Sequence, residues 1–255
     1  AVWGHSQGGH AVLWTAQIAA DYAPELELVG AAAISPAADL EGILEGSMDK
    51  RAGAILVSMS LYAWNANTPG ASLAEIVDPA ALEQINKLAG TCVTTPAAFL
   101  LLGDLQPPRA FLPDNLTDNP AFREFIDTNT PTDPIDVPLY IAHGTADAII
   151  PFQGSVDEAA RRCAAGEDVE LERYPLADHN PALDYSAVGV VGWLAERVGR
   201  LKVLLFTILL FVSMDIACIF AAGAASMMLF RFVQGIGAGG EVPVASAYIN
   251  EYIGS

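Results

Sequence analysis

Gly4-His5-Ser6-Gln7-Gly8 follows directly on the apolar Ala1-Val2-Trp3 and runs into a helical stretch from His10 to Tyr22. Gly-x-Ser-x-Gly between a short strand and a helix is the pattern of a nucleophile elbow, a strained turn that lifts a serine hydroxyl clear of a sheet. The glycines have a steric task. A side chain at Gly4 or Gly8 is expected to collide with the neighbouring strand or helix, while Ser6 takes an unfavourable backbone conformation to expose its oxygen. A turn of this kind commits the chain to a sheet with helices packed on it, and it makes Ser6 the candidate nucleophile.

The next segments keep that alternation. Leu26 to Ile34 is a near-continuous apolar run ended by Ser35-Pro36, as expected of a buried parallel strand. Val137 to His143 reads as a second such strand, and Val169 to Tyr174, alternating in polarity, as a strand nearer an edge. Helices are expected at about 152–165 and 183–199, which gives a doubly wound α/β pattern. Between Ala37 and Asp136 the alternation stops. Short helical patterns such as Leu73 to Val77 and Pro79 to Leu88 are punctuated by proline, and an insertion of this length reads as a mostly helical cap that excludes water and shapes a pocket. Its apolar run Pro96 to Leu102 predicts a tunnel for acyl chains.

A serine needs a base to take its proton and a third group to orient that base. Of the four histidines, His5 lies inside the elbow, His10 on the following helix and His143 at a strand end, whereas His179 falls in the loop after the last strand. Only His179 follows both the serine and a suitable acid in the order Ser, Asp, His. Asp147, in the turn after a strand, is the expected acid. Its competitor is Asp178, but neighbouring side chains in a loop seldom face each other.

Taken together, Gly4-His-Ser-Gln-Gly-Gly-His10, Tyr22 to Gly30, Ser35-Pro-Ala-Ala-Asp-Leu40, His143-Gly-Thr-Ala-Asp147 and Asp178-His179-Asn180 resemble the secretory lipases of the α/β-hydrolase class over about residues 1–199. The resemblance implies an α/β-hydrolase fold, hydrolysis of long-chain carboxylic esters at a lipid interface, secretion, and no metal or organic cofactor. It makes Ser6 the nucleophile, Asp147 the orienting acid and His179 the general base, with the backbone N–H of Gln7 as one oxyanion donor. The chain starts on the elbow strand. The family's first strands, its signal peptide and the loop with the second oxyanion donor are therefore expected to lie outside it, as in a C-terminal piece. Cys92 and Cys163 can pair in an exported protein or stand as two buried thiols, and Cys218 is expected only to pack.

From Leu201 the composition changes. The chain carries a net charge of −18, yet beyond residue 200 its only charged residues are Lys202, Asp215, Arg231, Glu241 and Glu251. The acidic remainder argues against nucleic acid as a partner, since little here could neutralise phosphates, and reads as solubility. Leu201 to Phe230 is longer than the ~20 residues a bilayer span needs, and a second apolar stretch follows from Phe232 to Ile249. A transmembrane helical hairpin is expected, turning near Ala221 to Ser226, with membrane association through residues 201–249. Gly235 to Gly240 lacks the strand and spacing of a nucleotide loop; Gly235 and Gly239 instead allow close helix approach.

The run Arg231-Phe-Val-Gln-Gly-Ile-Gly-Ala-Gly-Gly-Glu-Val-Pro243 through Asn250-Glu251 resembles the fourth membrane helix of major facilitator transporters, over about residues 200–255. In that frame Glu241 is a candidate substrate- or proton-coupling residue. The expected organisation is an α/β-hydrolase fragment at 1–199 joined somewhere in Leu194 to Arg200 to a transporter-type helix pair at 200–255. The alternatives to an ester hydrolase are a non-functional chimeric fragment and a transporter fragment without activity of its own. A lipase with a natural membrane anchor is the rival organisation.

Overall fold

The computed structural model describes residues 1–51, 53–90, 106–113 and 116–236. Four parallel strands lie in sequential order: β1 (Val2–His5), β2 (Ala31–Ile34), β3 (Leu139–Gly144) and β4 (Val169–Tyr174). Helix α1 (Gln7–Tyr22) joins β1 to β2, α6 (Phe152–Ala164) joins β3 to β4, and α7 (His179–Val198) follows β4. Val12, Leu13 and Ala16 of α1 and Ala159 of α6 pack on one face of the sheet against Ala31, Ala33, Leu139 and Ile141. The other face, Ala32, Ile34, Tyr140 and Ala142, packs on Val190 and Trp193 of α7. Alternate residues of each strand thus serve opposite layers, which is why β2 and β3 are apolar throughout.

Two strand boundaries differ from the sequence expectation for one reason. Pro138 has no N–H to give the ladder, so β3 begins at Leu139, and Ala31 N–H reaching the Pro138 carbonyl at 3.0 Å marks where β2 starts to pair. Residues 26–30 are coil. Leu28 from this segment still packs on the core, while Leu26 is exposed. β4 keeps its expected bounds and lies at an edge. The other edge strand among the described residues is β1, which pairs with β2 alone.

Residues 37–136 interrupt the sheet with helices α2 (Leu40–Ser47), α3 (Gly53–Asn67), α4 (Pro79–Ala89) and α5 (Pro120–Asn129). Asp39, Asp78 and Asn119 cap α2, α4 and α5 by accepting backbone N–H groups, and Pro79 and Pro120 occupy the first helical positions, where no amide hydrogen is missed. This subdomain has its own core, in which Leu61, Trp64, Ile85 and Phe122 are fully buried. The expected acyl tunnel at Pro96 to Leu102 and Cys92 lie outside the described residues. Cys163 is exposed on α6 and Cys218 is buried.

The chain returns from the cap to the sheet through a buried charge cluster. Arg162 on α6, wholly buried, donates to Glu158, to Glu167 at 2.7 Å and to the carbonyls of Pro131 and Asp133 at 3.2 Å. Arg161 also reaches Glu158, at 2.6 Å, so Glu158 keeps a partner when Arg162 is removed, but Glu167 and the Asp133 carbonyl lose a buried donor. Arg162→Met is therefore expected to cost about 1–3 kcal/mol, and urea titration of the two proteins measures it.

Past Gly199, whose φ of 103° breaks the helix, α8 (Arg200–Ile219) runs to a break at Phe220–Gly223 and a shorter apolar helix α9 (Ala224–Ile236) follows. Leu201–Ile219 is long and apolar enough to cross a membrane, with mean hydropathy 2.2. Its Leu205, Phe206, Leu209 and Ile216 are exposed, as are Met228 and Phe232 of α9. Gln234 on α9 donates to Asp215 on α8 at 3.1 Å and accepts from Arg231 of its own helix at 2.6 Å, so a polar contact links the two helices. Gly239, Glu241 and Glu251 lie outside the described residues.

Candidate active site

Ser6 sits where β1 ends and α1 begins, with φ 58° and ψ −119°. That left-handed conformation is costly for a residue with a Cβ. Here it is held by Ser6 N–H donating to the Ile34 carbonyl at 2.8 Å and by His10 N–H closing back on the Ser6 carbonyl at 3.0 Å. Gly4 is needed because a Cβ there would run into the backbone of Gly8. The same demand is not made of Gly8 itself, contrary to the sequence expectation: a Cβ at Gly8 meets nothing within 4 Å. Gly9 is the second tight position, since its Cβ would lie 3.0 Å from Pro36 Cα and 3.1 Å from the Ile34 carbonyl. The elbow is thus packed through Gly4 and Gly9. Gln7 begins α1, so its N–H lies in the first turn, where helix amides have no intrahelical acceptor and the helix dipole favours negative charge.

Asp147 and His179 meet just beyond the ends of β3 and β4. His179 Nδ1 is 2.7 Å from Asp147 Oδ2, and both side chains are almost fully buried. Asp147 Oδ1 accepts the N–H groups of Ile149 and Ile150, each at 2.9 Å. His143 Nε2 stands 3.1 Å from Oδ2 on the other side. Burial pushes the Asp147 carboxyl up, but hydrogen bonds from His143, His179 and the Ile150 amide more than offset it, and its pKa lies well below the usual carboxylate range. Asp178 has a different task. Its Oδ1 accepts from Ala148 N–H at 2.9 Å and His179 N–H at 2.8 Å, which ties the two loops together. His179 is therefore the first residue of α7, capped by Asp178, and not a loop residue as the sequence implied.

Two further histidines surround the elbow. His5 Nε2 contacts the His179 carbonyl at 3.1 Å and its ring lies 4.5 Å from the His179 ring; burial, first, lowers its pKa. Among the described residues no hydrogen bond joins Ser6 Oγ to His179, so His5 makes the contact between the elbow and the Asp147–His179 pair. His10 Nε2 lies 2.8 Å from the Asn129 carbonyl at the end of α5. No group of three or more His, Cys, Asp or Glu among the described residues is placed to hold a metal ion.

Above Ser6 and Gln7 opens a cleft of about 320 Å³, roofed by the cap. Leu44, Val57, Met59, Phe125 and Ile150 give it apolar walls, with His10, Ser47, Ser60 and Asn129 as polar exceptions.

The family model described as secretory lipase matches residues 1–202. The chain belongs to the secretory lipase family. Its fold agrees: Candida antarctica lipase A in its closed state superposes with a TM-score of 0.60 at 18% identity, covering 73% of this chain and 46% of that one. A rice cell wall degrading esterase of Xanthomonas oryzae gives 0.58 at 18% identity, covering 72% and 53%. These likenesses show the α/β-hydrolase fold. In sequence it is 29% identical to Lipase 6 of Candida albicans and 28% identical to a probable inactive lipase of Mycobacterium tuberculosis, in both cases over 77% of this chain. The chain spans 45% and 44% of those two relatives, under half of each. A Major Facilitator Superfamily model matches residues 186–255 of this secretory lipase homologue, and a niacin transporter of Acinetobacter baylyi is 42% identical over 69 residues, 26% of this chain and 16% of the transporter.

Proposed function

We propose that the chain carries the catalytic centre of a serine hydrolase of carboxylic esters, of the triacylglycerol lipase kind, working through Ser6, Asp147 and His179 and an acyl-enzyme. The observation that carries this reading is the 2.7 Å pairing of His179 Nδ1 with a buried Asp147 beside an elbow serine. With Nδ1–H held by the carboxylate, His179 Nε2 is the free base. Ser6 Oγ attacks the ester carbonyl and its proton passes to His179 Nε2; the oxyanion accepts a hydrogen bond from Gln7 N–H. Collapse breaks the ester C–O bond, and the departing alcohol takes the proton from His179. Water, deprotonated in turn by His179, then attacks the acyl-enzyme, releasing the acid and restoring Ser6. The apolar cleft above Ser6 suits an acyl chain better than a charged substrate.

In this reading the hydrolase part, residues 1–199, is an exported enzyme and the substrate is a lipid or ester. The α8–α9 pair associates with a lipid bilayer. A second reading is that two unrelated pieces are joined near Gly199 and the whole is inactive. It is favoured by the overlap of the two family matches over 186–202 and by the helix break at Gly199. A fluorophosphonate probe separates them. Covalent labelling of Ser6 that vanishes in Ser6→Ala is expected; a folded chain that never labels would leave only the second reading.

A further inference from the structure

His143 has no assigned part in the chemistry, yet it is fully buried against the acid of the site. Its Nε2 faces two acceptors, Asp147 Oδ2 at 3.1 Å and the Ile150 carbonyl at 3.2 Å, while its Nδ1 lies 2.7 Å from Ser155 Oγ on α6. A nitrogen between two acceptors carries the proton, so Nδ1 is the acceptor and the Ser155 hydroxyl its donor. The Phe152 ring, edge-on at 5.6 Å, packs against the imidazole.

We propose that His143 is a positioning residue: Ser155 fixes its tautomer, its Nε2–H holds Asp147 Oδ2, and Asp147 so held presents that oxygen to His179. This rests on the ester-hydrolase reading given above. Oδ2 then shares its charge between two imidazole donors rather than delivering all of it to His179. The depressed pKa of Asp147, to which the His143 bond contributes, agrees with this arrangement. Other ionisable groups about the cluster are His5 from β1, Asp178 at the α7 cap, Lys50, which donates to the Ala148 carbonyl at 3.0 Å, and Arg173, paired in register with His143 on β4. His5 touches His179, and Asp178 is occupied by two backbone amides, so neither replaces the His143 contact.

The test follows fluorophosphonate labelling of Ser6 in the full chain against pH. In His143→Phe the acid limb of the labelling rate moves to higher pH by about one unit, because a carboxylate with one donor fewer holds more charge against the imidazolium it faces. His143→Gln, whose side-chain N–H falls near the lost Nε2, restores the limb, and Ser155→Ala moves it the same way by less. A measurement independent of activity is the pair of ¹⁵N shifts of His143 at pH 7, expected to place the proton on Nε2. A proton on Nδ1 overturns the proposal, as does a wild-type acid limb in both His143→Phe and Ser155→Ala. If Ser6 of the folded wild type never labels, the hydrolase reading is what fails, and the tautomer still decides whether His143 holds Asp147. Should His143→Phe not fold, Ser155→Ala and the tautomer carry the decision.

Discussion

Asp147→Asn is expected to keep the fold and lower the rate of ester hydrolysis, or of Ser6 labelling, by ~10⁴, the size of effect seen when a triad histidine is forced into the wrong tautomer. The reason lies in how the carboxylate is divided. Oδ1 accepts two backbone N–H groups, from Ile149 and Ile150, so an asparagine must place its amide oxygen there. Its NH₂ then points at His179 Nδ1 and His143 Nε2, where Oδ2 had been. A donor in that position turns His179 to the tautomer with Nδ1 bare and Nε2 protonated, which cannot take a proton from Ser6. Asp178→Asn keeps an oxygen for Ala148 and His179 N–H and should cost less than tenfold, since only the acceptor's charge is lost and a charged acceptor is worth about 1 kcal/mol more than a neutral one. Parallel rate measurements on the two variants give the ranking. Equal losses, or a larger loss at Asp178, would take Asp147 out of the acid's role.

The second large effect concerns residues 200–236. Leu201, Leu205, Phe206, Leu209, Ile216, Ile219, Met228, Leu229 and Phe232 are all more than half exposed, and soluble monomers rarely tolerate a contiguous apolar patch above a few hundred Å². None of the buried clusters of the hydrolase part draws a residue from beyond Gly199. The last side chains of α7 that join the sheet's packing are Trp193 and Leu194, with Arg197 stacked over the Trp193 ring at 3.6 Å. Ending the chain after Gly199 is therefore expected to move the protein from the detergent-rich to the aqueous phase in a two-phase detergent partition. Its thermal transition should stay within a few degrees of the full chain in mild detergent. Loss of the transition altogether would mean that the α8–α9 pair supplies part of the core.

Much of this architecture is legible in the residues. β4 follows from its alternation, and the elbow from two glycines about a serine between apolar strand and helix. Asp147 stands out by its place after a strand, and it is the carboxylate that His179 Nδ1 meets. What escapes is whatever depends on a partner distant in sequence. The apolar run Leu26 to Ile34 cannot reveal that pairing waits for Leu139, because the missing amide belongs to Pro138 on another strand. Asp178 reads as a rival acid when its carboxylate is a helix cap, since a cap is recognised only once the helix start is known. Gly8 looks as constrained as Gly4, although the tight contact is made at Gly9 against Pro36. His143 carries a faint signal in its spacing of four from Asp147 across a turn. A strand-end histidine has no pattern that separates packing from support of a carboxylate, and Ser155 lies a further eight residues on.

The bond from Asp178 to Ala148 has a mechanical meaning. Together with Ala146 N–H donating to the Ala177 carbonyl at 3.0 Å, and the absence of a Cβ at Gly144 that would strike Ala177, it rivets the acid's turn and the histidine's turn into one plate. Ser6 stands outside that plate, at the end of β1, and is tied to it through β2, where the Ile34 carbonyl accepts Ser6 N–H and Ser35 N–H reaches Ala142 of β3, and through the contact of the His5 and His179 rings. The spacing of Asp147 and His179 is thus set within one riveted unit, whereas that of Ser6 and His179 is set across the width of the sheet.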